Sequence, residues 1–213
     1  MKVSHAEIER CRGDPVAWVR AKLKGGDGEG TFRRRGFQAA LRDAICHYHR
    51  TSSVSGAHTA LSGYLGKFTN AARKQETHDA LDNYVYWHRS SGVIVAHSRV
   101  RLSYALGQDV FIGGEITRLD VDPGGGRYTA VLLSHAPTFN EAELRWPLIQ
   151  LAFARQFARD PDLIDVGLQD LSGVPCVVRT YSPSELSAAE IAGAELASEI
   201  GQAIILVNGG AHE

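Results

Sequence analysis

The sequence has few cysteines, no long apolar run and no signal-peptide pattern. Cys11, Cys46 and Cys176 are far apart and form no CxxC pair, which argues against a zinc site or a disulfide framework. No apolar stretch approaches the roughly 20 residues that cross a bilayer, and the first residues lack the pattern of a secretory signal. These absences predict a cytoplasmic protein in a reducing compartment, with no membrane partner.

The sequence also lacks an excess of charge of either sign. The net charge is −1, so binding to nucleic acid would need a local basic patch. Arginine outnumbers lysine by 18 to 5; arginine makes bidentate contacts with phosphate, although a GC-rich genome would produce the same excess. Two enzyme signatures are missing: a glycine-rich phosphate loop between a strand and a helix, and a serine in a nucleophile elbow.

The spacing of apolar residues changes along the chain. A helical period predicts helices through most of residues 1–90, and from Val93 a period of two predicts strands. The later elements are predicted as strands over 93–104, 109–121, 128–134, 163–171 and 175–182, and as helices over 140–158 and from Ser182 onward. Gly113 and Gly114 predict a bulge or a close backbone approach. We expect one domain over residues 1–213, with a helical part (1–90) and a sheet core with flanking helices (91–207).

Five segments share their pattern with one group of enzymes. They are SHAEIERCRGDPVAWV, RRGFQAAL, GGEITRLD, YTAVLLSHA and PLIQLAFARQF. Together with the element order, they resemble the PD-(D/E)xK nuclease superfamily, in particular its RecB-like branch and the related CRISPR-adaptation exonucleases. The resemblance covers most of the chain. It implies an α/β, restriction-endonuclease-like fold, in which helices flank a mixed central sheet and an N-terminal helical part precedes it.

The resemblance also implies that the catalytic set of the family is largely missing. The positions of its His, its metal-binding Asp, and the acid and Lys of the next strand fall on Ala40, Thr117, Leu132 and Ser134. Gln150 is retained, and Ala154 stands where the family usually has Tyr. These nucleases use carboxylates to hold Mg²⁺ or Mn²⁺, and Thr, Leu and Ser cannot replace them. The resemblance therefore favours a catalytically degenerate member.

Relocated acids are the alternative. Glu115 lies two residues before Thr117 and would share its face of the strand. Glu143 is expected on the following helix, where it could face the same cleft. A Mg²⁺ or Mn²⁺ site of Glu115 and Glu143 would make the protein an active deoxyribonuclease. The helix macrodipole also favours acids near a helix N-terminus, and this would explain the position of Glu143 without a catalytic role.

Candidate contacts with nucleic acid come from a basic run and from the resemblance. Arg33, Arg34 and Arg35 form the most basic stretch, which would suit phosphate or would be a solvated helix start. The resemblance adds Arg118 and Gln150 as nucleic-acid-binding residues. We expect no metal site and no cofactor, because the CHYH stretch lacks converging ligands and Cys11 has no late cysteine triplet to complete an iron–sulfur cluster.

The sequence thus predicts a nucleic-acid-binding or scaffolding subunit in prokaryotic DNA processing or defence. DNA or RNA and a protein are its expected partners. The alternatives are the metal-dependent nuclease and a purely structural subunit that binds only protein.

Overall fold

A computed structural model describes residues 1–24, 36–134, 138–170 and 176–209. Six strands and seven α-helices are present in these ranges, with short 3₁₀ turns at His5–Glu7 and Pro161–Leu163. The strands are β1 (Lys2–Ser4), β2 (Ile94–Ala105), β3 (Phe111–Val121), β4 (Tyr128–Ser134), β5 (Ile164–Asp170) and β6 (Val177–Arg179). The helices are α1 (Ile8–Gly13), α2 (Pro15–Lys24), α3 (Phe37–Thr51), α4 (Val54–Leu65), α5 (Ala71–Ser91), α6 (Arg145–Gln156) and α7 (Pro183–Gly209).

The strands form one mixed sheet, and β3 is at its centre. Strand β2 pairs antiparallel along one side of β3. On its other side, β3 pairs parallel with β1 at one end and antiparallel with β4 at the other. Strand β5 is parallel to β4, and β6 is antiparallel to β5. The predicted class, an α/β fold with a mixed sheet flanked by helices, is confirmed. Strand β1 was not predicted, because three residues are too few to show a period of two.

The buried side chains form two clusters. The larger one joins the sheet to α1, α2, α6 and α7, and the smaller one joins α3, α4 and α5 and meets the sheet at Leu133. Residues 1–24 therefore pack with the sheet core, although the sequence grouped them with the helices of residues 1–90.

Strand β2 departs from the regular alternation that the sequence predicts. Val100, Leu102 and Tyr104 are buried as expected, whereas Ile94 and Ala96 are exposed. The pairing with β3 shifts between Val95 and His97, and such a bulge changes which side chains face the core.

Helix α6 begins later than the sequence suggested. It starts at Arg145, so Glu141 and Glu143 precede it instead of lying on it. Pro147 explains the late start, because proline lacks an N–H and fits only the first turn of a helix. The start that the sequence predicts for α7, at Ser182, is confirmed by a capping box: the Glu185 N–H donates to Ser182 Oγ, and the Ser182 N–H donates to Glu185 Oε2.

No helix within the described ranges is long and apolar enough to cross a membrane.

Candidate functional site

Two adjacent glycines in β3 let the N-terminus lie directly on the sheet. A Cβ on Gly113 would come within 1.8 Å of Lys2 Cε, and a Cβ on Gly114 within 2.2 Å of His5 Cδ2. Gly114 also has a φ of +145°, which side-chain-bearing residues rarely adopt. The close approach that the sequence predicted for this pair is confirmed. It places Lys2 and His5 beside the strand that carries Glu115.

A polar cavity of about 400 Å³ opens at this point. We call it the basic cleft. Its lining residues are Lys2, Ser4, Glu7, Lys22, Arg101, Gly113, Gly114 and Glu115. Three of the five charged side chains are cations, contributed by β1, α2 and β2. The sequence gave no signal for this grouping other than the glycine pair, because the cations are far apart along the chain.

Glu115, one of the two candidate catalytic acids, is already held by arginines. Its Oε2 accepts a 2.8 Å hydrogen bond from Arg99 Nε, and its Oε1 lies 3.9 Å from Arg42 Nε. Arg99 also lies 3.5 Å from the carboxylate of Asp43. The hydrogen bond to Glu115 is the main reason why the pKa of Arg99 is raised. The carboxylate of Glu115 is therefore hydrogen-bonded to an arginine through Oε2, whereas the buried Oε1 has an arginine nearby but no hydrogen-bond partner.

His5 lies between the cleft and the start of α6. Burial lowers its pKa, and the nearby charges of Arg145 and Arg42 lower it further, whereas a hydrogen bond with the Glu115 backbone acts in the opposite direction. Its Nδ1 is buried and has no hydrogen-bond partner. The imidazole is thus favoured in its neutral form beside the cleft.

Glu143, the second candidate acid, binds a different arginine. Glu143 lies in the segment before α6, and Arg145 is the first residue of that helix. The Oε2 of Glu143 accepts a 2.5 Å hydrogen bond from Arg145 Nε. Within the described ranges, no three His, Cys, Asp or Glu side chains are grouped so that they could hold a metal ion. In this conformation, Glu115 and Glu143 are each engaged by an arginine.

The positions that resemble the catalytic strands hold no acid. The pairing of β3 with β4 ends at Arg118 and Val131. Beyond that pair, Thr117 is buried, and its Oγ1 accepts a 3.4 Å hydrogen bond from the Leu133 N–H. Leu132 packs against the larger hydrophobic cluster. Thr117 thus uses its hydroxyl to satisfy the backbone where the two strands separate.

Arg118 lies inside the protein and not on a binding surface. It is 0% exposed, and its Nε donates to both oxygens of Asp120 at 2.7 and 2.9 Å. Its Nη1 donates to Tyr84 Oη at 3.0 Å, and its guanidinium lies 5.0 Å from the centre of the Trp87 ring. Because these protein groups enclose the side chain, it presents no surface to a nucleic acid in this conformation.

Gln150, the other residue suggested by the resemblance, is also fully buried. Its Nε2 donates to the carbonyls of Pro161 and Tyr181, and its Oε1 accepts from the Tyr181 N–H. These bonds tie α6 to the start of β5 and to the segment before α7. Arg33, Arg34 and Arg35 lie outside the described residues. Arg42, farther along the chain in α3, approaches the cleft residue Glu115.

A second polar centre, which the sequence did not predict, surrounds Arg118. Tyr84 Oη lies 2.7 Å from His49 Nε2, and Tyr48 Oη lies 3.2 Å from His88 Nδ1. Burial lowers the pKa of His49 to about 3, and burial also lowers the pKa of His88. The only sequence signal for this network was the mixture of His and Tyr at residues 46–49 and 84–89.

Comparisons with known proteins give no family assignment. No family model matches the chain, and no curated protein matches it. A crystal structure named "Putative exonuclease", from Eubacterium rectale, is similar over 79% of this chain and 68% of the other, with 7% sequence identity and a TM-score of 0.45. A similarity of this size supports no conclusion about fold family or activity.

Proposed function

We propose that this protein is a catalytically degenerate PD-(D/E)xK-type subunit that binds a nucleic-acid backbone in the basic cleft without cutting it. It would serve in prokaryotic DNA processing or defence, with a protein partner that supplies the chemistry. The observation that carries the proposal is the convergence of cations from separate parts of the chain around the Gly113–Gly114 segment.

The charge around the cleft suits phosphate. Five cations lie in or beside it, against three carboxylates, in a chain whose net charge is −1. The cations are Lys2, Lys22, Arg42, Arg99 and Arg101, and the carboxylates are Glu7, Asp43 and Glu115. A local positive excess of this kind is the feature that a backbone-binding surface needs, because each phosphate contact by Lys or Arg releases counterions.

The state of the acids supports binding without cleavage. A nuclease of this type needs carboxylates that are free to hold a divalent cation, which positions water and neutralises charge on the phosphate. Glu115 and Glu143 are instead paired with Arg99 and Arg145. Thr117 has its hydroxyl in a backbone hydrogen bond.

Substitution of two exposed cations tests the proposal. We expect a Lys2→Ala/Arg101→Ala variant to bind labelled DNA at least tenfold more weakly than the unchanged protein at physiological salt. A Lys67→Ala/Arg89→Ala variant removes the same charges from exposed positions of the helical part, and it should bind as the unchanged protein does. Equal loss in both variants would show that only overall charge matters and would contradict a role for the cleft.

The alternative functions give different results. Metal-dependent cleavage that is abolished by Glu115→Gln or Glu143→Gln would establish an active nuclease with relocated acids. Neither binding nor cleavage of single-stranded DNA, double-stranded DNA or RNA would favour a structural subunit that binds only protein.

A further inference from the structure

A second cleft lies at the opposite end of β3, between the sheet and the C-terminal end of α5. It has a volume of about 250 Å³. We call it the α5 cleft. Its lining residues are Trp87, Ser91, Gly92, Val93, Asp120, Val121, Asp122, Pro123, Arg127, Thr129, Cys176 and Val178. An engineered protein cavity of ~150 Å³ holds benzene, so this space is large enough for a planar ring system.

The floor of the α5 cleft follows from the register of the sheet. Asp120, Thr129 and Asp165 are neighbours across β3, β4 and β5, so they share one face. Gly167 lies in the next row, where a Cβ would come within 2.6 Å of Cys176 Sγ and 2.9 Å of Thr129 Cγ2. The missing side chain at Gly167 leaves the room that Cys176 Sγ and Thr129 Cγ2 occupy.

Asp120 is the carboxylate of this cleft that lies on the sheet itself. Asp165 is occupied by two hydrogen bonds from Arg127 and one from Thr180. Asp122 lies in the exposed turn after β3, where its Oδ1 accepts from the backbone N–H groups of Gly126 and Arg127. Both oxygens of Asp120 share a single donor, Arg118 Nε, and a carboxylate has about four acceptor positions. Its side chain keeps 12% of its surface exposed, and it lines the cleft.

The walls favour an aromatic occupant. Trp87 is half-buried and lines the cleft together with Val93, Val178 and Cys176. An occupant that lies along these walls and meets Asp120 needs an apolar body and N–H donors at one edge, and a nucleobase combines the two. Guanine offers two adjacent donors, N1–H and N2–H₂, to one carboxylate, whereas adenine and cytosine each offer one exocyclic amine.

We propose that the α5 cleft binds a single guanine base, with the Asp120 carboxylate accepting from its N1–H and N2–H₂ groups and Trp87 contacting the ring. The site is separate from the basic cleft and needs no polymer. Mononucleotide binding therefore tests it independently of the proposed binding of a nucleic-acid backbone.

Titration calorimetry of the full chain with three mononucleotides provides the test. Guanosine monophosphate should bind. Inosine monophosphate lacks the exocyclic amine and should bind about tenfold more weakly, in line with the 1–3 kcal/mol attributed to a bidentate base contact. Adenosine monophosphate should bind as weakly as inosine monophosphate or more weakly. No binding of guanosine monophosphate at millimolar concentration, or equal binding of all three, would overturn the proposal.

Two neighbouring residues of β6 supply a matched pair of variants. Val178 lines the cleft and is 49% exposed, whereas Val177 is 45% exposed and alternates to the other face. Val178→Glu adds a negative charge to the lining of the cleft and should reduce guanosine monophosphate binding at least tenfold. Val177→Glu adds the same charge to the same edge strand and should leave binding unchanged. Both positions are exposed, so folding should tolerate the changes; equal affinities in the two variants would contradict the assigned site.

Discussion

Arg118 and Asp120 form an ion pair beneath α5, and each charge depends on the other. Arg118 is fully buried, and burial raises the pKa of Asp120 while the adjacent guanidinium opposes that rise. The Nη2 of Arg118 is already without a hydrogen-bond partner. Loss of the carboxylate would therefore leave a buried cation with no counter-charge.

We predict that Asp120→Asn lowers the free energy of unfolding by about 3–5 kcal/mol, the usual cost of breaking a buried ion pair by removing one partner. Urea denaturation followed by circular dichroism measures it. A double variant, Arg118→Met with Asp120→Leu, removes both charges and should lose less stability than Asp120→Asn. A single variant that is as stable as the unchanged protein would show that the ion pair is not buried in solution.

His49 makes the stability of the protein depend on pH. Burial is the main cause of its low pKa, about 3 against an ordinary 6.5, and the charges of His88 and Arg118 act in the same direction. Between these two values the unfolded chain binds more protons than the folded one, so stability is complete above pH 6.5 and decreases as the pH falls towards 3. The lowered pKa values of His88 and His5 contribute in the same direction.

We predict that His49→Gln, which keeps a hydrogen-bonding group but does not titrate, flattens the dependence of unfolding free energy on pH between 6.5 and 3. The His97→Gln variant makes the same substitution at an exposed position and serves as the comparison. Urea denaturation midpoints measured across this pH range test the prediction. An unaltered slope in His49→Gln would mean that this imidazole is not buried as described.

At the scale of elements, β3 depends on its two glycines because β1 and the first 3₁₀ turn lie against it. Gly114→Ala would meet the ring of His5 and force a side chain into a φ of +145°. Gly113→Ala would meet the flexible end of Lys2, which can move aside. We predict a loss of roughly 2 kcal/mol or more for Gly114→Ala, which combines backbone strain with a steric clash, and a smaller loss for Gly113→Ala.

Thermal unfolding measures both glycine variants, and Gly63 in α4 supplies the control. No atom lies within 4 Å of a Cβ placed on Gly63. Alanine in a helix is favoured over glycine by about 0.5–1 kcal/mol, so Gly63→Ala should stabilise slightly. A Gly114→Ala protein as stable as the Gly63→Ala protein would contradict the close approach at β3.

The sequence was a good guide to elements with a strong local signal. Ser182, Pro183 and Glu185 marked the start of α7, and the glycine pair marked the close approach at β3. It misplaced Glu143 on α6, because the helix predicted over 140–158 did not allow for the effect of Pro147. The alternation of residues in β3 could not predict that Arg118 is buried, because its burial depends on the positions of Tyr84 and Trp87 in α5.

Local sequence patterns did not predict the basic cleft either. It combines Lys2, Lys22 and Arg101, which come from β1, α2 and β2, and the packing of α2 against α1 and α7 and the pairing of β1 and β2 with β3 bring them together. The resemblance implied that Thr117 and Leu132 stand where acids are expected. It did not predict the hydrogen bond of Thr117 or the packing of Leu132.

At the scale of the whole molecule, a net charge of −1 means that binding to DNA must come from the local cations. We therefore predict that the logarithm of the DNA association constant falls linearly with the logarithm of salt concentration. The slope should become shallower by about 2 in Lys2→Ala/Arg101→Ala, about one unit for each lost phosphate contact. Fluorescence anisotropy at several salt concentrations gives both slopes, and identical slopes would place the phosphate contacts elsewhere.

The most direct measurement of the central claim is one gel that records retention and cleavage together. Purified protein is incubated with labelled single- and double-stranded DNA, with Mn²⁺ and separately with a chelator. Binding without a catalytic metal site predicts retained, uncut DNA under both conditions. Mn²⁺-dependent cutting that persists after repurification and disappears in Glu115→Gln would contradict it, and would show that the carboxylate paired with Arg99 is released to hold metal.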